Sequence, residues 1–330
     1  MDEYLLPFER VKRSVLVRRI AQTSDKFGMN PKDRTVEQLL QVGIVNIDKP
    51  EGPTSHQVSA YVQRILGLTK SGHSGTLDPN VTGCLPVTLE KSTKIVQTLL
   101  TAGKEYICIM HLHKEVPDYE LYKALDKFTG KINQLPPVKS AVKREWRERT
   151  VYYIEILSKL EQDILFRVGT QAGTYIRKLV HDIGQELGCG AHMAELRRSK
   201  AGPFSESTLC TLQDLADAYH YYKAGNDKYI RRLVMPVEFG ISHLPKIWVM
   251  DTTIDTICHG ASLSVPGISK LETGIQKGDM VAILSLKDEL VSFGIATLSS
   301  KEMMGEKGLA VKADKVLMEP GTYPKIVLKS

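Results

Sequence analysis

Residues 71–86 read SGHSGTLDPNVTGCLP and lie between a segment with helical periodicity and a segment with the composition of a strand. These sixteen positions hold three glycines, two prolines, four hydroxyl side chains and one carboxylate, that of Asp78. So many turn-forming residues in one stretch predict a loop with a single defined backbone path. We expect this loop to present Asp78 to a substrate.

The flanking segments predict the fold class. Residues 42–48 are rich in β-branched side chains and predict a strand, and apolar positions after Ser55 recur at helical spacing up to Gly67. Downstream, 85–89 predicts a short strand followed by a helix capped by Ser92. Strands and helices alternate without the regular rhythm of a parallel sheet. We therefore expect an α+β domain with a mixed, largely antiparallel sheet.

The chain divides into three predicted parts. Residues 1–40 are polar and basic without a sustained period, which predicts an arm that lies over other parts of the protein. Residues 41–245 form the α+β domain. From residue 246 to 330, short apolar runs alternate with glycine and polar residues, a texture typical of a small β-barrel.

Composition favours an ordinary globular protein of the cytoplasm. The 330 residues are 42% hydrophobic and 25% charged, and the first twenty mix charged with apolar positions, so we expect neither a signal peptide nor a membrane span. The five cysteines form no C-x-x-C pair, which argues against a zinc ribbon, an iron–sulfur site and a disulfide framework. Reduced thiols are the simplest interpretation.

The net charge of +6 is unevenly distributed. Residues 1–246 carry 35 basic and 28 acidic side chains, whereas 247–330 carry nine lysines and ten acidic residues. Basic side chains cluster at 139–149 and 197–200. A polyanion would be drawn to this larger part, although a solvated basic face explains the charge equally well.

The loop resembles several known chemical motifs but lacks a required residue of each. The glycines and serine around Ser74 are one position out of step with G-x-S-x-G, and a calcium loop begun at Asp78 would end at Leu89 instead of glutamate. No Walker A motif is present in the sequence. His111 and His113 could face one way on a strand, but no third ligand accompanies them in the sequence, which favours structural roles.

Five motifs resemble those of one enzyme family. Residues 72–83, GHSGTLDPNVTG, resemble the catalytic motif of TruB-type pseudouridine synthases, and 46–56, NIDKPEGPTSH, resemble their first motif. Residues 104–106, KEY, resemble the strand that carries the active-site tyrosine, and 173–177, GTYIR, resemble the arginine motif. Residues 196–198, LRR, match the late motif. The order of the five is that of the family.

Further stretches resemble the archaeal dyskerin-type enzymes within this family. They are PPVKSAVKR at 136–144, AHMAELRR at 191–198 and the C-terminal CHGA, VPGI and GIQKGD, which resemble a PUA RNA-binding domain. The resemblance implies a pseudouridine synthase domain joined to a PUA β-barrel, working in a box H/ACA ribonucleoprotein. Its implied partners are a guide RNA, substrate ribosomal or transfer RNA, and three small proteins: a zinc-ribbon-like protein, a β-barrel protein and a kink-turn-binding protein.

The resemblance also assigns roles to individual residues. The implied catalytic residues are Asp78, Tyr106 and Arg177. The implied substrate-binding residues are Lys49, Pro50, His73 and Leu196, of which Lys49 and Pro50 are expected to shape the pocket. The implied RNA-binding residues are Lys143, Arg144, Arg197, Arg198, Gly260 and Ala261. Neither a metal nor an organic cofactor is expected.

The implied reaction detaches uracil from ribose, rotates it and rejoins it through C5. Asp78 would attack C1′ or C6 or take a proton from C2′, and it would have to be ionised in a desolvated pocket beside Arg177. Two other functions fit the same residues. One is a stand-alone synthase for the T-arm uridine of transfer RNA, and the other is a catalytically silent RNA-binding scaffold.

Overall fold

The structure is a computed structural model that describes residues 4–136 and 143–325. Its strands in chain order are β1 (Val15–Val17), β2 (Gly43–Lys49), β3 (Ser71–His73), β4 (Thr82–Leu89), β5 (Lys104–Leu112), β6 (Gly130–Gln134), β7 (Arg147–Leu160), β8 (Asp163–Thr170), β9 (Ala191–Ala201), β10 (Phe204–Ser205), β11 (Val234–Pro236), β12 (Lys246–Val249), β13 (Leu263–Ser264), β14 (Ile268–Glu272), β15 (Met280–Leu284), β16 (Leu290–Ala296) and β17 (Leu309–Val316). Its α-helices are α1 (Pro7–Arg10), α2 (Val36–Gln41), α3 (Ser55–Leu66), α4 (Val96–Thr101), α5 (Asp118–Phe128), α6 (Ile176–Glu186), α7 (Leu212–Lys223), α8 (Ile230–Leu233), α9 (Val237–Gly240), α10 (Asp251–Cys258) and α11 (Ser300–Met303). Short 3-10 helices lie at Pro31–Asp33, Glu90–Ile95, Glu206–Thr208 and Val265–Gly267.

The larger sheet has the strand order β11-β2-β4-β9-β5-β8-β7-β6, with β3 paired to β4 and β10 paired to β9. Its neighbours run antiparallel except β4 and β9, which are parallel. The predicted α+β class with a mixed, largely antiparallel sheet is thereby confirmed.

Helices cover this sheet because each has an apolar face of the right period. Gly67 ends α3 in the left-handed conformation, as the sequence predicted, whereas Thr54 with the help of Gln57 caps its start in place of Ser55, the cap expected from the sequence. The buried face of α3 joins apolar residues of β2, β4 and α7 in one core cluster. The apolar face of α6 joins a second cluster with β5 and β8. The two clusters thus attach these helices to the sheet.

Two local predictions are wrong. Ser92 caps no helix: it is buried within the 3-10 turn, and α4 begins only at Val96. The turn begins at Glu90, which has a φ of 42° and whose carboxylate accepts the amide of Lys70 at 3.1 Å. Within the predicted arm, residues 36–41 form α2, whose apolar side chains join the core. This helix is too short to show a period in the sequence.

The second sheet has the order β1-β14-β12-β15-β16-β17-β13 and includes a strand from the arm. Strand β1 pairs antiparallel with β14, and β12 pairs in parallel with β15. The core of this part includes α10, a helix that the sequence analysis did not predict. The arm therefore completes a sheet that is otherwise built from the end of the chain.

The two sheets share an apolar cluster. It combines Ile44, Leu99 and Phe204 from the larger part with Trp248 and Phe293 from the C-terminal part. Burial of such side chains is the main stabilising term in a fold.

A buried ion pair lies beside this junction. Arg34 of the arm donates to both carboxylate oxygens of Glu238, at 2.7 and 2.8 Å, and Glu238 also accepts the amide of Leu290 at 2.9 Å. One carboxylate thus connects the arm, α9 and the second sheet.

We expect Arg34→Met to lower the free energy of unfolding by about 3 kcal/mol, because it leaves a largely buried carboxylate without its cation. The measurement is equilibrium urea unfolding of Arg34→Met, Glu238→Gln and the double variant, in which the two losses should add incompletely. Arg232→Met, at an exposed arginine in α8, is the matched control and should change stability by less than about 0.5 kcal/mol. Equal losses at Arg34 and Arg232 would contradict this account of the junction.

Candidate active site

The loop between β3 and β4 is held at its base by strand pairing. β3 pairs with the far end of β4, Ser71 opposite Leu89 and His73 opposite Val87, so the chain must turn back on itself between them. Ser55, the first residue of α3, accepts the amide of Leu77 at 2.8 Å and donates to its carbonyl at 3.2 Å. The loop tip that bears Asp78 is therefore anchored to the start of a helix.

Lys49 holds the inner side of the loop. Its side chain is fully buried, and its ammonium group donates to the carbonyl oxygens of Pro50 at 2.9 Å, Pro79 at 3.0 Å and Val81 at 2.8 Å. All three ammonium protons are thereby used. Burial lowers the pKa of Lys49, and the negative charge of Asp78 opposes that shift. The expectation that Lys49 shapes the site agrees with these contacts.

Arg198 holds the two ends of the loop together. It is 1% exposed and donates to the carbonyls of Cys84 at 2.7 Å and Gly75 at 3.2 Å. Gly83 has a φ of 100°, and a Cβ there would lie 2.3 Å from the carbonyl oxygen of Arg198. Only glycine allows β4 to approach β9 so closely. The RNA contact predicted for Arg198 needs correction, because its guanidinium is directed into the protein.

Asp78 and Arg177 form an ion pair across the site. The guanidinium Nη2 of Arg177 donates to Oδ2 of Asp78, although the two residues lie 99 positions apart in the chain. Arg177 is the second residue of α6, and Gln134 fixes the start of that helix by accepting the amide of Tyr175 at 2.9 Å. The structure thus brings these two predicted catalytic residues together.

This ion pair is not desolvated. The side chains are 53% exposed for Asp78 and 55% exposed for Arg177. The expectation that Asp78 lies in a desolvated pocket is therefore wrong for the chain alone. An exposed pair of this kind adds little to stability, about 0 to 1 kcal/mol.

Tyr106 and Leu196 lie on the neighbouring strand pair β5–β9. Tyr106 is opposite Arg198, and Leu196 is opposite Cys108. Both side chains are half-buried against the core cluster that also contains Ile176, the residue before Arg177. Three distant segments therefore meet around one apolar cluster, and Arg177 extends from its edge toward Asp78.

A buried polar network lies beneath Tyr106 and was missed in the sequence. Glu105 is 5% exposed and accepts hydrogen bonds from Tyr153 at 2.5 Å and Ser199 at 2.8 Å. Lys200 lies 3.5 Å from the same carboxylate. Burial, and then the hydrogen bond to Glu105, raise the pKa of the Tyr153 hydroxyl. The only signal in the sequence was a charged pair, Lys104 and Glu105, at the start of a strand that is otherwise mostly apolar.

His73 lies at the side of the loop. Its ring meets that of His56 edge to face, with the ring centres 4.7 Å apart. Burial first, and then the charges of His56 and Arg198, lower the pKa of His73 to about 4. His73 is therefore neutral at neutral pH. It lines an open groove of about 540 Å³ together with Gly75 and Thr76 of the loop.

The remaining predicted RNA contacts differ in accessibility. Arg197 is held internally by Asp48, at 2.9 and 3.0 Å, and by Glu206 at 2.5 Å. These hydrogen bonds raise its pKa further above the usual range.

Lys143, Arg144 and Gly260 are exposed, Ala261 is half-exposed, and Pro50 is exposed beside Lys49. The basic stretch that leads to Lys143 falls partly on residues 137–142, which lie outside the described residues. Exposed side chains at Lys143 and Arg144 leave both predicted contacts open to a partner.

The described residues contain neither a metal-binding cluster nor a membrane-spanning helix. Among residues 4–136 and 143–325, no group of three or more His, Cys, Asp or Glu side chains is arranged to hold a metal ion. None of the helices in the same ranges is long and apolar enough to cross a membrane.

Family profiles match four successive parts of the chain. The profile "DKCLD (NUC011) domain" matches residues 6–59, and "TruB family pseudouridylate synthase (N terminal domain)" matches 63–176. The profile "tRNA pseudouridylate synthase B C-terminal domain" matches 177–242, and "PUA domain" matches 245–317.

Whole-chain relatives and solved structures agree with these profiles. A protein of Methanopyrus kandleri named "Probable tRNA pseudouridine synthase B" is 53% identical to this chain, and the match covers 97% of this chain and 95% of that protein. A protein of the same name from Pyrococcus horikoshii is 54% identical, and the match covers 98% of this chain and 97% of that protein. A chain of the "Crystal Structure of a Cbf5-Nop10-Gar1 Complex" superposes with a TM-score of 0.94 at 51% identity, over 98% of this chain and 99% of that one. A chain of the "Structure of H/ACA RNP bound to a substrate RNA containing 2'-deoxyuridine" superposes with a TM-score of 0.90 at 49% identity, over 97% of this chain and 99% of that one.

We expect Lys49→Met to lower the free energy of unfolding by about 2 to 4 kcal/mol, because it leaves the carbonyls of Pro50, Pro79 and Val81 without their donor. Urea unfolding measures this loss, and hydrogen exchange of the amides at 75–84 should show the largest increase there. Lys123→Met, at an exposed lysine in α5, is the matched control and should leave both measurements unchanged. Unchanged exchange in the loop of Lys49→Met would contradict the role assigned to Lys49.

Proposed function

The chain belongs to the TruB family of pseudouridylate synthases, and from that premise we propose that it converts uridines of ribosomal or transfer RNA to pseudouridine under the direction of a box H/ACA guide RNA. The observation that carries the guided function is similarity over nearly the whole chain to proteins solved in H/ACA ribonucleoprotein complexes, one of them with substrate RNA. The similarity includes the arm and the PUA part as well as the synthase part.

The chemistry is assigned to the ion pair at the loop tip. Asp78 reacts as a carboxylate, and the adjacent guanidinium of Arg177 favours that charged form. Attack at C1′, attack at C6 and proton abstraction at C2′ all use the same ionised group. One carboxylate is sufficient for an isomerase, because water need not be activated if the detached base stays in the site.

Bound RNA excludes water from Asp78 and Arg177. In the chain alone, Asp78 and Arg177 are each more than half exposed, so water has free access to both. A nucleotide turned out of its helix into this site would cover the pair and strengthen its electrostatic interaction. Binding of the correct RNA therefore completes the active site.

The surrounding residues position the base. Tyr106 stacks on the uracil or takes the proton from C5, and Leu196 contacts the same nucleotide from the next strand. His73 acts as a neutral ring, since its pKa of about 4 keeps it uncharged, and so it contributes contact rather than charge. Lys49 and Arg198 position the loop from within the protein and do not touch the substrate.

We place the guide RNA on exposed residues of both parts of the chain. Lys143 and Arg144 belong to the larger part and come shortly before β7, and Gly260 and Ala261 follow α10 in the C-terminal part. We propose residues 246–330 as the anchoring PUA domain and 41–245 as the catalytic domain. The small proteins of the H/ACA particle named in the solved complexes, Nop10 and Gar1, are the proposed protein partners.

Transfer RNA is a second candidate substrate without a guide. The relatives named "Probable tRNA pseudouridine synthase B" favour activity on transfer RNA, and the T-arm uridine is the target that we propose for this alternative. The two functions use the same active site and differ in whether base pairing with a guide selects the uridine.

We expect the purified chain with guide RNA and partner proteins to modify the uridine opposite the guide pocket, and to lose that activity when the guide is omitted. Pseudouridine mapping on ribosomal and transfer RNA, with and without each component, measures this. Asp78→Asn should abolish product while guide-RNA affinity changes less than about twofold, since the fold is unaffected. Modification of bare transfer RNA at the wild-type rate would support the unguided alternative, and an active Asp78→Asn would remove Asp78 from the mechanism.

We expect Arg177→Met to slow single-turnover product formation by about 100-fold or more, because the charged partner of Asp78 is lost while the apolar part of the side chain is kept. Rates are measured with enzyme in excess over bound RNA, so that RNA affinity does not limit them. Arg232→Met, an exposed arginine away from the loop, should react at the wild-type rate. A near-normal rate for Arg177→Met would show that the ion pair is dispensable.

A further inference from the structure

Three histidines meet on the surface at the end of the β5–β9 strand pair. His111 ends β5 together with Leu112, His113 follows directly, and His192 is the second residue of β9. His192 lies six residues before Arg198 on β9, or about 20 Å along the strand. The cluster is therefore separate from the active site.

The strand register places these side chains on one face. His111 is directly opposite His192 on β9 and directly opposite Asp163 on β8. Directly opposed residues in an antiparallel pair have Cβ atoms about 5 Å apart, and residues two apart on a strand point the same way. His113 follows the last residue of β5, and its ring lies against that of His192. His113 and His192 are exposed and His111 is half-exposed.

The distances between the rings are close to those of a zinc site. Nε2 of His113 lies 3.1 Å from Nδ1 of His192. Two imidazole nitrogens at about 2.0 to 2.1 Å from one tetrahedral zinc lie about 3.3 Å apart, with ring centres about 5 Å apart. The ring centres are 5.1 Å apart for His111 and His192, 5.3 Å for His113 and His192, and 6.5 Å for His111 and His113. Two of the three distances already fit.

The third distance is long because the rings are bonded to other groups. His113 and His192 bond to each other, and Nδ1 of His111 lies 2.7 Å from Oδ1 of Asp163, so the three rings do not converge on one point. Convergence needs only a rotation of partly exposed side chains, since the backbone positions are already set by the register.

Asp163 is placed to accept a hydrogen bond from a histidine that binds a metal. A carboxylate that accepts the Nδ1 proton of a histidine leaves Nε2 free to bind a metal and increases the basicity of the ring. The contact between His111 and Asp163 provides this arrangement, and it is kept in the bound state if the exposed ring of His113 is the one that turns.

We propose that His111, His113 and His192 bind one divalent transition metal ion of the zinc class, with Asp163 orienting His111 and a water molecule in the fourth position. Imidazole nitrogens are ligands that this class of metal prefers, and His111 on β5, His113 just after β5 and His192 on β9 would fill three corners of a tetrahedron. The ion joins the ends of β5 and β9. It is remote from Asp78, so the proposal is independent of the proposed function.

The test is a titration of the chelator-treated full chain with Co²⁺, whose visible absorption reports tetrahedral coordination, and with Zn²⁺ by competition. We expect one equivalent to bind to the wild type. His192→Ala and His113→Ala should each lower its affinity by at least about 100-fold, and Asp163→Asn should lower it by about 10- to 100-fold. Zn²⁺ should raise the thermal midpoint of the wild type but not of His192→Ala.

Matched controls separate this cluster from other donors. His181→Ala removes an exposed histidine of α6, and Cys189→Ser removes a half-exposed thiol; both should bind the metal as the wild type does. Circular dichroism checks that each variant is folded. Equal affinity in the wild type and His192→Ala, or loss of binding in Cys189→Ser, would overturn the proposal.

Discussion

The active site depends on two buried cations that bind backbone carbonyls. Lys49 donates to three carbonyls around the loop tip, and Arg198 donates to one carbonyl at each end of the loop. A loop with this many turn residues could adopt several conformations, and the hydrogen bonds of these cations select one. A buried ammonium or guanidinium is costly unless its protons are bonded, so the loop and the cations stabilise each other. Asp78 is placed by this arrangement and not by contacts of its own carboxylate within the loop.

The same design leaves the pair to which we assign the chemistry at the surface. The cations that shape the loop are buried, whereas Asp78 and Arg177 are each more than half exposed. The protein therefore supplies position and charge, and the RNA would supply the exclusion of water that the isomerisation needs. Under the proposed function, this division would let Asp78 react only when the correct RNA is bound. It also separates stability from chemistry, because the exposed ion pair contributes little to folding.

The arm shows how the outer parts of the chain support this site. Its strand β1 extends the C-terminal sheet, its helix α2 joins the core of the larger part, and Arg34 pairs with Glu238 between them. The two sheets also share one apolar cluster. A division at residues 40 and 245 describes the order of the chain but not its packing, because the first forty residues contribute to both parts.

The sequence by itself determined the fold class, the helix at 55–66, the loop and its single acid, because turn residues and periodicity act over a few neighbouring positions. The order of five motifs further predicted that Asp78, Tyr106, Arg177 and Leu196 belong to one site. Only the tertiary structure decided what surrounds each residue. It showed that Arg198 is buried although it lies in a basic run, that Asp78 is exposed although the proposed chemistry needs a dry site, and that the ring of His192 lies beside those of His111 and His113. These outcomes depend on strand register and burial across more than 70 residues, and local patterns carry no information on either.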